Sequence, residues 1–552
     1  MGLRFVDPGF LRAGGPLGFT RQVERLLALI GFVDVINIDA SGDQGGDLIG
    51  RLKGDDWVFQ AKWRLRGGAT VDADAVDEVQ NAMSAYRIDR GVVVTNGTFT
   101  KKARARVEAL RKVNLNISLW DGVALEKLHD RASERTKPFK LHEYQERAVE
   151  GAWKALTDTG RALTFLATGL GKTVVAGRVV TKILTACPGA RVLVVAHTTD
   201  LVEQLERSMW RDIPKSVATR VVNGTFKPDD LRGVTFAVLP TAANYVRSGF
   251  KPDAIIVDEA HHVGEDGDYA DVFAALPDVP RLGVTATPWR GDRFDIEKVF
   301  GRPVVRVSIS DGMCLGYLAS VRYKLYSDNI DWDFVRDQSE KGYSIRDLNK
   351  RLFVPERDEA IRDHLIEVWG RTRSPRAIVF CQTILHAEEM AGLLARVPGW
   401  TATTSIHGQL TKSERRDRLV RFRNGEIPIL TSVDLLNEGV DVPDVNILAF
   451  ARVTHSRRIF VQQLGRGLRI RAGKESVEVL DFVSDIRRLA EIHDLREQVS
   501  ESEAESVSVP RNEFEFTDAR VEGLLERWIA DVGDLAGADD SVRLEFPPEV
   551  GA

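Results

Sequence analysis

A glycine-rich turn set between an apolar run and a helical run constrains this chain more than any other feature. Residues 162–166 read as a short buried strand and 174–184 as a helix, and Ala167-Thr168-Gly169-Leu170-Gly171-Lys172-Thr173 lies between them. Such a turn aims several backbone N–H groups at one spot, at the positive end of a helix dipole, and that spot holds phosphate. Thr168, Gly169 and Gly171 would form the cradle, Lys172 would reach the β- and γ-phosphates, and the Thr173 hydroxyl would sit on Mg²⁺. Only the first glycine of the fuller G-x-x-x-x-G-K-[ST] pattern is missing.

Further signals follow in order. Upstream, Leu141-His-Glu-Tyr144-Gln145 places an amide that both donates and accepts, as an adenine edge requires. Downstream, 191–197 reads as a strand and 199–210 as a helix opening on Thr199-Asp200. A buried strand at 254–257 runs straight into Asp258-Glu259-Ala260-His261. Carboxylates at the carboxyl end of a parallel strand face the phosphate crevice. Asp258 would hold the metal through its water shell and Glu259 would act as base on the attacking water. The strand 281–285 ends in Thr285-Ala286-Thr287. From 376 strands and helices alternate again, with a basic helix over 415–423, then Glu438-Gly439-Val440-Asp441 and Gln462-Gln463-Leu464-Gly465-Arg466-Gly467-Leu468-Arg469. Arg466 and Arg469 are one turn apart on a predicted helix, and guanidinium grips phosphate oxygens bidentately.

In this order the motifs resemble those of superfamily 2 DEAD/DEAH-box helicases. The wording of 465–469 most resembles the branch holding restriction-type translocases and RadD- and XPB-like repair helicases. The resemblance implies two RecA-like parallel-sheet domains, with ATP and Mg²⁺ at the P-loop and the Glu438–Asp441 stretch near nucleotide or nucleic-acid phosphate. It also implies Arg466 and Arg469 in the ATP cleft, Thr285 and Thr287 coupling hydrolysis to movement, and His261 in the cleft between the domains.

The first 130 residues are of another kind. A helix over 18–30 carries Phe19, Val23, Leu26, Leu27 and Ile30 at helical spacing. Strands are expected at 33–38, 57–63, 90–95 and 116–120, and helices at 74–86 and 100–112. Alternation puts Gln60 and Lys62 on one face of their strand, where Asp47 from the neighbouring turn could meet them and form an oxygen-donor Mg²⁺ site. The stretches Gly42-Asp-Gln-Gly-Gly-Asp47-Leu-Ile, Phe59-Gln-Ala-Lys62, Gly91-Val-Val-Val-Thr-Asn-Gly-Thr-Phe-Thr100 and Leu119-Trp-Asp-Gly122 resemble the Mrr-type catalytic domain of PD-(D/E)xK nucleases. That resemblance implies DNA phosphodiester cleavage by Asp47, Gln60 and Lys62. The glutamate the family often carries after the aromatic of its first helix is Thr20 here. Glu24, one turn on, is either its substitute at the metal or a solvated charge.

The expected architecture is therefore α/β throughout. A restriction-endonuclease-like domain spans 1–130, with a polar linker at 131–138. RecA-like motor domains span 139–302 and 375–495, joined by a helical connection at 303–374. An acidic linker and terminal helix occupy 496–552. A net charge of −5 over 552 residues assigns any DNA contact to local grooves rather than to global basicity. Three cysteines, Cys187, Cys314 and Cys381, fit neither a disulfide framework nor zinc spacing. With no long apolar run, the expectation is a soluble cytoplasmic protein without a membrane partner, its oligomeric state open. The leading functional expectation is an ATP-driven DNA helicase or translocase coupled to Mg²⁺-dependent endonuclease cleavage, in restriction, phage defence or DNA repair. The alternatives are a DNA or RNA helicase whose N-terminal module only binds substrate, and a scaffold whose ATP cycle gates partner binding.

Overall fold

In the computed structural model the described residues are 4–38, 45–132, 140–223, 231–286, 294–326, 330–337, 342–353, 358–433, 445–451, 463–465, 467–470, 474, 476–482, 485–503, 512–518, 520–532 and 535–545. The chain divides into two compact units, one holding residues 1–164, 173–285 and 290–305, the other 165–172, 286–289 and 306–552.

The first unit opens with α1 (Pro8–Ala13) and α2 (Gly15–Leu29), followed by the antiparallel strands β1 (Val33–Asn37), β2 (Leu48–Leu52) and β3 (Asp55–Lys62). Then come β4 (Thr70–Val71), α3 (Asp74–Tyr86), β5 (Arg90–Thr95), β6 (Thr98–Phe99), α4 (Lys101–Arg111), β7 (Asn116–Trp120) and α5 (Gly122–Arg131). The sheet order is β1-β2-β3-β5-β7, and β5 pairs in parallel with both β3 and β7. Pleating sends adjacent residues of β3 to opposite cores: Phe59 packs with Phe19, Val23, Leu26 and Leu27 of α2, whereas Val58 packs with Val76 and Val79 of α3. Helix starts follow local chemistry, with Thr100 accepting from Ala103 N at 3.1 Å and Asp121 from Ala124 N at 3.0 Å.

The chain continues with α6 (Glu143–Thr159), β8 (Arg161–Leu166), α7 (Lys172–Ala186), β9 (Val192–Ala196), α8 (Thr199–Met209), β10 (Thr219–Val222), β11 (Val234–Val238), α9 (Leu239–Arg247), β12 (Ala254–Asp258), α10 (Asp268–Ala275), β13 (Arg281–Thr285) and β14 (Pro303–Val307). They form a seven-stranded sheet ordered β10-β11-β9-β12-β13-β8-β14. β9 pairs in parallel with β11 and β12, and every residue of β9 is buried, as a strand covered on both faces requires. The cap of α8 is Thr198, which accepts from Leu201 N at 3.3 Å, one residue before the expected start.

In the second unit a seven-stranded sheet runs in the order Thr404–Ile406, Ile429–Ser432, Ala377–Phe380, Ile447–Ala451, Ser476–Phe482, Ser320–Tyr326, Glu513–Phe516. Two expectations change here. The stretch 303–374 is not simply a helical connection, because Pro303–Val307 and Ser320–Tyr326 are strands of the two large sheets. Arg322 and Lys324 disguise the latter strand, and they are neutralised by Glu478, Glu513 and Glu515 on its neighbours. The acidic run from 497 is helical as far as Glu503, within a helix Ile486–Glu503. The terminal helix Arg520–Val532 buries Val521, Leu524, Leu525 and Trp528.

Candidate functional site

In the N-terminal domain the register Leu48↔Phe59 brings Asp47 beside Gln60, with Asp47 N donating to Phe59 O at 2.8 Å. The Asp47 carboxylate in turn accepts from Ala61 N at 2.5 Å, which fixes it on the strand between Gln60 and Lys62. The turn before it is forced against α3. Gly45 has φ +88°, and a Cβ there would fall 2.6 Å from the carbonyl oxygen of Glu78. Only glycine fits such an approach. Gln60, Lys62, Glu78, Asn81 and Ser84 line an open pocket of about 880 Å³. Gln60 is 6% exposed and its Oε1 is buried without a hydrogen-bond partner among the described residues. A buried, unmatched amide oxygen beside a fixed carboxylate is the donor set a hard divalent cation takes, so the residues fit Mg²⁺. Lys62 is ion-paired with Glu78, a residue the sequence reading had passed over.

Glu24 is corrected by the structure. Its carboxylate accepts from Arg207 Nε at 2.5 Å and Nη2 at 3.3 Å, and the residue is 2% exposed. It is neither a metal ligand in this arrangement nor a solvated charge. Its neighbours on α2 explain why. Arg21 donates to Glu206 at 2.8 Å, Gln22 to Thr219 O at 3.1 Å, and Arg25 to Val217 O at 2.9 Å and Pro214 O at 3.3 Å. The polar flank of α2 is thus a buried seam against α8 and the approach to β10. Burial pushes the Arg25 guanidinium down to about 9, with Glu206 opposing it. Burial also works to lower Arg207, but Glu24, Glu203 and Glu206 outweigh it and hold it above its usual value.

In the motor region the phosphate-loop glycines Gly169 and Gly171 have φ +93° and +81°, and α7 begins at Lys172, followed by Thr173. Thr168 is buried and its Oγ1 has no hydrogen-bond partner among the described residues. A Cβ at Gly169 would meet Gly465 O at 2.9 Å and Arg469 Cγ at 3.3 Å, so the loop backbone lies directly against the start of the arginine motif. Asp258 ends β12, 6% exposed, and Glu259 follows with φ +49°, a left-handed conformation that a non-glycine residue adopts at a cost. His261 is 1% exposed, and its Nδ1 lies 3.3 Å from Glu259 and 2.8 Å from Thr285 Oγ1 at the end of β13. His261 was expected in the cleft between the domains, yet its described partners lie within the first motor. Tyr269 on α10 has a buried hydroxyl without a hydrogen-bond partner among the described residues, and burial together with the charges of Asp258 and Glu259 pushes its phenol up. Gln145 Oε1 accepts from His142 N at 3.0 Å and its Nε2 donates to the Tyr144 hydroxyl at 3.2 Å, so both ends of the amide are engaged at the start of α6. Thr287, Glu438, Gly439, Asp441 and Arg466 lie outside the described residues.

Three family models match in tandem: "Restriction endonuclease" of the Mrr catalytic type over 11–129, "Type III restriction enzyme, res subunit" over 138–290, and "Helicase conserved C-terminal domain" over 356–471. The chain thus carries, in tandem, a segment that matches Mrr-type endonuclease domains and two that match helicase-type domains. The chain is 30% identical to a 51.5 kDa protein of a Lactococcus phage, over 57% of this chain and 64% of that one. It is 26% identical to the type I restriction enzyme EcoAI endonuclease subunit of Escherichia coli, over 67% of this chain and 50% of that one. It is also 26% identical to the DNA 3'-5' translocase XPB2 of Sulfurisphaera tokodaii, over 60% and 79% of the two chains. The chain thus spans between half and two thirds of the first two relatives. The fold of the ATP-dependent Type ISP restriction-modification enzyme LlaBIII bound to DNA covers 97% of this chain and 42% of that one, with a TM-score of 0.52 and 17% identity. No helix among the described residues is long and apolar enough to cross a membrane.

Proposed function

We propose that this endonuclease–helicase chain hydrolyses ATP to move along DNA and cleaves DNA phosphodiesters in its N-terminal domain, in restriction, phage defence or repair. The observation that carries the reading is the Asp47 carboxylate held on the Ala61 N–H beside a buried Gln60 oxygen that no described residue matches. Asp47 and Gln60 would hold Mg²⁺, which supplies charge stabilisation at the phosphodiester and lowers the pKa of bound water. Lys62, on the same face of β3, orients the attacking water and neutralises charge developing on phosphate. In the motor, Lys172 and the loop N–H groups bind the ATP phosphates, and Thr173 and Asp258 bind the nucleotide's Mg²⁺. Glu259 takes the proton of the water attacking ATP, and Arg469 with Arg466 neutralises the transferred phosphoryl group. Gln145 serves the adenine edge and Asp441 a phosphate. DNA is gripped through its phosphates, so binding weakens steeply with salt.

Plasmid cleavage with ATP and Mg²⁺, on modified and unmodified duplex, tests the reading. Lys62→Ala is expected to lower nicking by about 10²-fold or more while DNA-stimulated ATPase persists. Lys172→Ala is expected to abolish the ATPase. Nicking unchanged in Lys62→Ala would leave the N-terminal domain as a DNA-binding module only. An ATPase that no nucleic acid stimulates would remove the motor assignment.

A further inference from the structure

We infer that Glu78 is the second carboxylate of the endonuclease metal site, and that its ion pair with Lys62 is the resting form of that site. The inference rests on the nuclease reading above and adds a ligand to it. Three observations converge. With Glu24 committed to Arg207, Asp47 beside Gln60 leaves room among the described residues for a second carboxylate, since Mg²⁺ is held by one or two carboxylates together with substrate phosphate. Glu78 lines the same pocket as Gln60, whose Oε1 is buried and without a hydrogen-bond partner among the described residues. Its backbone is also pinned to the turn that carries Asp47, because Gly45 leaves no room for a side chain against the Glu78 carbonyl. Helix α3 therefore cannot move away from Asp47 without opening that contact, and Glu78 is delivered to the pocket by the packing of its own main chain.

The pair with Lys62 then has a simple role. Without a cation, the ammonium neutralises the Glu78 carboxylate at the mouth of the pocket. When a divalent ion takes the carboxylate, the ammonium is released toward the phosphodiester, where a positive charge is useful only once substrate and metal are present. Cation binding and the freeing of Lys62 become one event.

The test measures Mn²⁺ affinity of the full chain without nucleotide, by titration calorimetry and electron paramagnetic resonance, with thermal midpoints recorded as a check on folding. Glu78→Gln is expected to weaken Mn²⁺ binding by about 10–100-fold, and Asp47→Asn to weaken it at least as much. Lys62→Met is expected to tighten binding, because it removes the competing ammonium, and Glu78→Gln in the Lys62→Met background should cancel that gain. If Asp47→Asn weakens Mn²⁺ binding while Glu78→Gln does not, Glu78 is only a counter-ion and the inference falls while the nuclease reading stands. If the wild-type chain binds no Mn²⁺, or Asp47→Asn leaves binding intact, both fall together.

Discussion

Gly45 shows how one residue decides whether the turn carrying Asp47 can exist. At φ +88°, and with the Glu78 carbonyl 2.6 Å from where a Cβ would stand, Gly45→Ala must push the turn off α3. The expected result is a loss of about 2–3 kcal/mol in stability and a fall in metal-dependent nicking, read by urea unfolding and plasmid cleavage. Thr285 offers a second test. Its hydroxyl lies 2.8 Å from His261 Nδ1, and His261 also contacts Glu259. Thr285→Val removes that partner at a buried site, at about 1–3 kcal/mol. DNA-stimulated ATPase should fall while nucleotide affinity, followed with a fluorescent analogue, holds. Unchanged turnover would separate Thr285 from the hydrolytic carboxylates. At this scale the sequence was informative where spacing and chemistry coincide. Asp47, Gln60 and Lys62 could be placed because strand alternation is local. Glu78 and Tyr269 could not, because nothing local distinguishes a glutamate or tyrosine that faces a site from one that faces water.

Helix α2 carries the lesson for elements. Its apolar spacing was legible and its core contacts follow from it. Its polar flank was not, since Arg21, Gln22, Glu24 and Arg25 look like an ordinary solvated face until α8 and the approach to β10 are known to cover them. Glu206 sits at the centre of that seam, 0% exposed, accepting from Arg21 at 2.8 Å and from the Thr219 hydroxyl at 2.8 Å. Removing one partner of a buried pair leaves the other charge stranded, so Glu206→Ala is expected to cost about 3 kcal/mol, the low end because Arg21 keeps some exposure. Scanning calorimetry should show the transition of this unit lowered by roughly 5–10 °C. An unchanged midpoint would mean the seam contributes specificity rather than stability. The strand Ser320–Tyr326 was missed for a related reason: its charged residues are matched by carboxylates from distant segments.

At the scale of the whole molecule, the endonuclease domain and the first motor form one compact unit rather than two beads on a linker. Across the seam, Lys215 donates to His129 O at 3.2 Å and Ala132 O at 2.9 Å, and the Arg220 guanidinium lies 4.0 Å from the Phe10 ring centroid. Hydrogen exchange in mild denaturant should therefore show peptides of β3 and β9 opening with the same free energy. Independent opening would mean the domains are merely adjacent. Order and type of the elements could be read along the chain because each βα repeat is local. The coupling could not, since it is made by residues about 85 to 210 positions apart.

The placement of Glu513–Phe516 at the edge of the second large sheet, beside Ser320–Tyr326, bears on how the protein is made. Most of the N-terminal unit can be completed by the time residue 305 leaves the ribosome. Its partner has to wait until residue 516 has been synthesised before its sheet is closed. Meanwhile Ser320–Tyr326 presents an unpaired backbone edge, the kind that recruits other nascent chains. A stalled or prematurely terminated product would thus carry a completed first unit attached to an aggregation-prone second one. Clearance of such products by proteolysis matters more for this architecture than for one whose sheets close early.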